Sequence, residues 1–332
     1  LVSAHRGAGG DLGVIAPENT VSATRAAIAL GVDFVETDPR PSKDGAIVNV
    51  HDTDVSRVTE GSGNVADMTL AELRALKLKT LKFPGDFGCE RIATLEEILT
   101  TARGRVHVLV DANKTDAVDK LVDAIVKTDT LDWAIFDTSA VDKIDRAIAI
   151  EPRIKTMIRV ETEAELTTTL AHFAAHPPVL VEIHGNGTPE VLVGPIHGAK
   201  NRALFDVFGV DVAVRFVPDL SQYGKVYDKG VDVVQTDRPD LVLASPAGIL
   251  QSSPKSGITS AGATTSVVAG QDINQLAAQH WALAAKDGIV LYTYGKASNG
   301  QKPNQETGIQ LHAASGNVRV ERAELRRFIR PS

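Results

Sequence analysis

Short apolar segments alternate with helix-patterned segments from residue 1 to about residue 243. The eight apolar segments are LVSAHRG, FVETD, VHVLVDA, WAIFDTS, KTMIRV, VLVEIH, RALFDVF and VDVVQTD. Between them, residues 20–31, 94–104 and 116–127 have the spacing of amphipathic helices. Eight strand–helix units in about 240 residues favour an α/β fold of the TIM (β/α)₈ barrel type over a doubly wound sheet.

Most of the predicted strands end in a polar residue. The set comprises His5, Glu36, Asp38, Asp111, Asp137, Glu182, His184, Asp206 and Asp237. In a (β/α)₈ barrel, the carboxyl ends of all the strands line one mouth, and catalytic residues lie there. The sequence therefore predicts a polar, cation-binding mouth.

Composition excludes several other classes of protein. The net charge of -7 argues against a nucleic-acid partner, which would require a basic face. Cys89 is the only cysteine, so neither an intrachain disulfide nor a thiolate metal cluster can form. We find no apolar run near the ~20 residues of a membrane span. Because the sequence opens without Met, we expect that an N-terminal segment was removed or omitted.

Two carboxylates stand two residues apart in FVETD. On a strand, Glu36 and Asp38 point to the same face, where they repel each other unless a cation or a proton lies between them. Asp111, which closes the third predicted strand, is the expected third oxygen ligand. Oxygen-only ligands favour Mg²⁺ or Ca²⁺ over zinc.

Two histidines are the candidate proton carriers, because imidazole titrates near neutral pH. His5 and His51 close separate apolar segments at the acidic end of the predicted barrel. Arg6 offers a bidentate fork to a phosphate group. Asp52 either orients His51 or caps the following turn, and Gly45 allows the preceding turn.

The ordered motifs HRG, PENT, ExD, DG, HD, RxTxGxG and TDRP in residues 1–243 resemble the glycerophosphodiester phosphodiesterase family. This resemblance implies a TIM barrel that hydrolyses a phosphodiester with a divalent metal. It also implies that His5 and His51 form the acid–base pair and that Glu36 and Asp38 bind the metal. Arg6 would contact the phosphate.

Three positions differ from the pattern of that family, whose third ligand is usually a Glu followed two residues later by a Lys. Here Asp111 replaces the Glu, Asn113 stands at the Lys position and Lys114 follows. One step along a strand turns a side chain to the opposite face, so Lys114 reaches the phosphate only if the strand bulges. Glu182 and His184 are predicted substrate or metal contacts, and the role of Asp206 stays open.

Residues 244–332 have a different texture, rich in Ser, Thr, Ala and Gly, with apolar clusters about eight residues apart. We predict a β-rich appendage of the solenoid or prism type. The segment resembles the C-terminal repeat region of VgrG spike proteins of bacterial type VI secretion. That resemblance implies a homotrimer formed through the tail and a bacterial protein that is secreted or periplasmic. A small β-rich appendage packed on the barrel is the alternative.

The predicted activity is hydrolysis of a glycerophosphodiester to glycerol phosphate and an alcohol. One alternative is a lyase of the phospholipase D or phospholipase C type acting on lipid headgroups. Another is a secretion spike or effector component that carries a phosphodiesterase barrel. The expected substrate is a small phosphodiester or a lipid headgroup in each enzymatic case.

Overall fold

The computed structural model describes residues 1–8, 10, 13, 15–83, 85–207 and 226–239. Its strands are β1 (Val2–Ala4), β2 (Phe34–Thr37), β3 (Pro39–Pro41), β4 (Ile47–Asn49), β5 (His107–Asp111), β6 (Ala134–Thr138), β7 (Lys155–Val160), β8 (Leu180–Ile183), β9 (Ala203–Asp206) and β10 (Val233–Thr236). Its helices are α1 (Val21–Leu30), α2 (Leu70–Ala75), α3 (Leu95–Ala102), α4 (Val118–Lys127), α5 (Val141–Ile150), α6 (Glu163–His172) and α7 (Pro189–Gly198). The predicted tail, residues 244–332, lies outside the described residues.

Eight parallel strands close into a barrel in the order β1-β10-β9-β8-β7-β6-β5-β2, and β2 pairs with β1. Each of the eight apolar segments of the sequence supplies one of these strands. The prediction of a (β/α)₈ barrel is therefore confirmed. None of the helices in the described part combines the length and apolarity that crossing a membrane requires.

The inside of the barrel has an apolar layer and, above it, a polar one. Seven strands place one apolar side chain in the lower layer: Phe34, Leu109, Ile135, Met157, Leu180, Leu204 and Val233. Side chains two residues apart on a strand share a face, so the next inward residue of each strand lies nearer the carboxyl end. These next residues are Glu36, Asp111, Asp137, Arg159, Glu182, Asp206 and Gln235. The alternation of side chains along the strands thus places polar groups inside the barrel at its mouth.

Some of the helices around the barrel, among them α1 and α3, begin at side-chain caps that the sequence supplies. Thr20 accepts a hydrogen bond from the amide of Ala23 at the start of α1, and Gly31 ends this helix at φ 83°. Thr94 and Glu97 form a reciprocal capping box at the start of α3. These caps anchor the helix ends next to the loops of the barrel.

A hairpin and a small satellite core follow β2. Strands β3 and β4 pair in antiparallel fashion, and Gly45 turns the chain between them at φ 84°, as predicted. Beyond β4, apolar side chains of the segment 51–93 pack with Val48 and Val50 in a cluster beside the hairpin. This cluster contains Val48, Val50, Val55, Val65, Leu73, Leu78 and Ile92. The hairpin returns the chain to the mouth at His51.

Candidate metal centre and active site

Three carboxylates converge at the ends of the neighbouring strands β2 and β5. Glu36, Asp38 and Asp111 each offer an oxygen, and these atoms lie within 4.8 Å of one another. All three side chains are buried. The structure thus brings together the three residues that the sequence predicts as metal ligands.

Neighbouring groups hold two of these carboxylates in place. The amide of Arg6, a residue at φ 51°, donates to Glu36 Oε2 over 2.9 Å. Asn19 Nδ2 donates to Asp38 Oδ2 over 2.8 Å, and Asn19 Oδ1 accepts from the amide of Asp38 over 3.1 Å. Each of these two side chains is therefore oriented by neighbouring groups of the protein.

The concentration of negative charge makes this group of carboxylates suitable for a cation. Burial raises the pKa of Glu36 well above its usual range, and the charges of Asp38 and Asp111 add to this effect. Burial also opposes ionisation of Asp111, but Arg159 and Lys114 outweigh it and lower the pKa of Asp111. A buried set of three converging carboxylates fits a hard divalent cation, which prefers oxygen ligands.

Lys114 reaches the same mouth by a route that differs from the expected strand bulge. Strand β5 ends at Asp111, and residues Ala112–Lys114 form one 3₁₀ turn. Because residues three apart eclipse in such a turn, Lys114 Nζ returns to 3.7 Å from Asp111 Oδ2 and 3.9 Å from Asp38 Oδ1. Asn113 instead folds back and donates to Asp111 Oδ1 over 2.7 Å.

His5 is buried at the end of β1 and paired with a carboxylate. Its Nδ1 lies 2.5 Å from Asp237 Oδ1, and its Nε2 lies 3.9 Å from Glu36 Oε2. A side chain on Gly10 would collide with this pair, because its Cβ would lie 1.7 Å from Asp237 Oδ1. The contact between His5 Nδ1 and Asp237, the acid of the TDRP motif, fixes the orientation of the His5 ring.

His51 lies on the partly exposed rim and is held by a chain of charged groups. Its Nδ1 lies 2.8 Å from Asp52 Oδ1, and Asp52 accepts from Arg57 Nε over 2.5 Å. Arg57 also binds Glu18 through two hydrogen bonds of 2.6 and 2.7 Å. Asp52 thus contacts the His51 ring directly, as one of its two predicted roles requires, and it also binds Arg57 in the segment that follows.

Arg40 joins the two loops that carry His51 and Lys114. Its Nη2 donates to the His51 carbonyl over 2.7 Å, and its Nη1 donates to the Lys114 carbonyl over 3.2 Å. Because Lys114 also contacts Asp38 and Asp111, this clamp places His51 on the border of the acidic group.

A second polar group lies on β8 and β9. One ligand atom each from Glu182, His184 and Asp206 falls within a span of 4.8 Å. Burial and the charge of Glu182 raise the pKa of Asp206 well above its usual range. Arg159 Nε lies 3.2 Å from Glu182 Oε2, which ties this group to the centre of the mouth.

Some residues of the site were not singled out from the sequence. Arg159 is the clearest, because its guanidinium lies 3.3 Å from Asp111 Oδ2 and also binds Asp137. Arg159 stands two residues after the inward-facing Met157 on the same strand, so the alternation of strand side chains could have predicted that it points into the barrel. Asn19 and Glu18 belong to the PENT motif, which is noted above only as part of the family resemblance.

Comparison with known proteins places the chain in a family. The sequence profile of the glycerophosphoryl diester phosphodiesterase family matches residues 5–241. A second profile, described as an uncharacterized protein conserved in bacteria (DUF2345), matches residues 228–324. This second domain is associated with VgrG proteins, which agrees with the predicted resemblance of the tail.

Individual relatives support the match to the first family. A glycerophosphodiester phosphodiesterase of Caldanaerobacter subterraneus is 44% identical over 98 residues, which cover 30% of this chain and 38% of that protein. Another, from Bacillus subtilis, is 25% identical over 261 residues, covering 73% of this chain and 84% of that protein. With some of these relatives, the chain thus spans only about two-fifths of their length.

The solved structure of an Oleispira antarctica phosphodiesterase has a similar fold. It is 25% identical, its TM-score is 0.62, and the match covers 74% of this chain and 96% of that one. The relatives named here are phosphodiesterases, in agreement with the predicted class of phosphoric diester hydrolases. With a family profile that matches residues 5–241 and a barrel that carries the corresponding motifs, the chain belongs to the glycerophosphoryl diester phosphodiesterase family.

Proposed function

We propose that the barrel hydrolyses a glycerophosphodiester to glycerol 3-phosphate and an alcohol, with Mg²⁺ or Ca²⁺ as its cofactor. The observation that carries the proposal is the buried group of Glu36, Asp38 and Asp111 beside the cations Arg6 and Lys114. Carboxylates would hold the divalent ion, while the neighbouring cations would receive the phosphate oxygens.

Glu36, Asp38 and Asp111 would hold the divalent ion, which would supply Lewis-acid polarisation of a phosphoryl oxygen. Arg6 and Lys114 balance the remaining charge of the phosphate, because both lie within 4 Å of Asp38. Asn19 keeps Asp38 in its orientation during turnover. The protein thus supplies binding and charge stabilisation on one side of the mouth.

Both histidines are paired in the same way, with a carboxylate at Nδ1. Asp237 holds Nδ1 of His5, and Asp52 holds Nδ1 of His51. A carboxylate at this atom favours the tautomer that keeps a proton there, so Nε2 exchanges protons with the substrate. One histidine removes the proton of the nucleophile, and the other donates a proton to the leaving alkoxide.

The choice of glycerol 3-phosphate as the product rests on the similarity to a relative. The Oleispira antarctica phosphodiesterase was solved in complex with the product sn-glycerol-3-phosphate. The named relatives act on glycerophosphodiesters, so the comparisons do not favour the lyase alternatives on lipid headgroups. Glycerophosphocholine is therefore the first substrate to test.

An assay of product formation tests the proposal. The full chain is incubated with glycerophosphocholine and Mg²⁺ or Ca²⁺, and glycerol 3-phosphate and choline are quantified. We expect equal amounts of both products. His51→Ala should lower kcat by roughly 10²–10⁴, because general acid–base catalysis contributes that much.

His172→Ala is the matched control, since His172 is an exposed histidine on α6 that pairs with Asp145. This variant should retain the wild-type rate. Full activity in His51→Ala, or choline phosphate as the product, would contradict the proposal.

A further inference from the structure

The Glu182, His184 and Asp206 group lies on the opposite side of the barrel from the proposed metal centre. Glu36 and Asp111 stand on the adjacent strands β2 and β5, whereas the second group stands on β8 and β9. Two strands separate the groups in either direction around the ring. The second group is therefore a separate set of ligands.

Glu182 is a fully buried carboxylate whose hydrogen-bonding capacity is not used. Both of its side-chain oxygens are buried and accept no hydrogen bond from the described residues. A buried charge of this kind is costly unless a counter-charge satisfies it. Its oxygens face His184 Nδ1, 3.3 Å away, and the carboxylate of Asp206.

Arg159 Nε forms an ion pair with Glu182 Oε2 at 3.2 Å, but it donates no hydrogen bond to this carboxylate and shares its charge with other acids. The guanidinium makes a bidentate contact with Asp137, to which Nε and Nη2 each donate a hydrogen bond. Its Nη2 also lies 3.3 Å from Asp111. One positive charge thus serves three carboxylates, and Asp206 adds a fourth carboxyl group beside Glu182.

We propose that Glu182, His184 and Asp206 bind a second divalent cation, of the first-row transition-metal class. An ion there would supply ligand bonds to the buried oxygens of Glu182 and a further counter-charge to both carboxylates. The imidazole nitrogen distinguishes this set from the oxygen-only centre on β2 and β5, since imidazole favours transition metals over Mg²⁺ and Ca²⁺. His184 is 44% exposed, so the ion enters from the rim of the mouth.

Equilibrium dialysis of the full chain against Mn²⁺ tests the proposal, with elemental analysis of the bound metal. We expect His184→Ala to bind about one Mn²⁺ fewer per chain, or to bind it at least about tenfold more weakly. Binding of Mg²⁺ should not change in this variant. His172→Ala, which removes an exposed histidine paired with a carboxylate elsewhere, should bind Mn²⁺ as the wild type does.

Pulsed electron paramagnetic resonance provides a second readout that does not depend on catalysis. In the Glu36→Gln chain, the remaining Mn²⁺ should show coupling to an imidazole nitrogen, and the added His184→Ala change should remove it. The proposal is overturned if Mn²⁺ binding and the nitrogen coupling are both unchanged by His184→Ala. A proton shared between Glu182 and Asp206 would then neutralise the group.

Discussion

At the scale of single residues, the support around Asp38 determines how the proposed metal centre is held. Asn19 occupies a left-handed conformation at φ 58° and bonds both the side chain and the amide of Asp38. It also accepts from Thr37 Oγ1 over 3.0 Å. One buried amide therefore links the PENT loop to the end of β2.

Loss of the Asn19 side chain should weaken the metal centre without removing a ligand. Asn19→Gly is the suitable change, because glycine adopts this φ without strain. We expect the Mg²⁺ concentration for half-maximal activity to rise about 10–100-fold, as is typical when a group that orients a ligand is lost. Asn201→Ala, at the opposite end of the barrel before β9, is the control. An unchanged metal requirement in Asn19→Gly would count against this role.

The three carboxylates of the proposed metal centre could be singled out from the sequence, but their surroundings could not. Glu36 and Asp38 stand out because two acids end an apolar strand. Lys114 contacts Asp111 and Asp38 because residues 112–114 form a 3₁₀ turn. No local sequence signal indicates this turn, so from the sequence alone Lys114 is expected to be part of a continuing strand. The pairing of His5 with Asp237 joins residues 232 positions apart, which only closure of the barrel brings together.

At the scale of elements, the helix caps and the strand period are local features and could be predicted. All eight predicted strands and the three predicted helices are present, with small shifts at their ends. The start of α3 could be predicted because its capping box is local: Thr94 and Glu97 accept hydrogen bonds from each other's amides within four residues. The satellite core of residues 51–93 was not predicted, because its short elements lack a clear period.

Glu97 gives a prediction for the pH dependence of stability. Burial opposes its ionisation, but hydrogen bonds from Thr94 and Arg74 outweigh this and lower the pKa of Glu97 below its usual 4.5. Its ionised form therefore stabilises the fold above about pH 4.5, and this contribution is lost as the pH falls through the folded-state pKa. Glu97→Gln should lower Tm by up to about 4 °C at pH 7 and by less at about pH 3.

Thermal unfolding of both proteins across this pH range is the measurement. Glu96→Gln serves as the control, since Glu96 lies in the same helical turn but makes only an exposed pair with Lys127. A stability gap for Glu97→Gln that widens towards acid pH would contradict the assignment.

At the scale of the whole molecule, the chain joins a phosphodiesterase barrel to a second domain. The two family profiles match residues 5–241 and 228–324, and the boundary at residue 243 stays a prediction. Alternation of strands and helices was enough to predict the barrel, because each βαβ unit repeats the same local pattern. The short period of the tail sequence does not specify whether the strands predicted for it would pair within one chain or between chains.

We predict that the full-length chain forms a homotrimer through residues 244–332, as their resemblance to spike proteins implies. Size-exclusion chromatography with light scattering should give three times the mass of one chain. A monomer at all protein concentrations would favour the alternative of a β-rich appendage. The corresponding proposal for location is a secreted or periplasmic bacterial protein.

The dependence of phosphodiester hydrolysis on the group of Glu36, Asp38 and Asp111 tests the central claim most directly. The measurement is the rate of glycerol 3-phosphate release from glycerophosphocholine by the EDTA-treated chain, titrated with Mg²⁺ and with Ca²⁺. We expect no turnover after EDTA and full recovery with at least one ion. Asp38→Asn should stay on the order of 10³ slower at saturating metal, since a metal contributes several kcal/mol to the transition state. Full activity in EDTA, or in Asp38→Asn without added metal, would contradict the account.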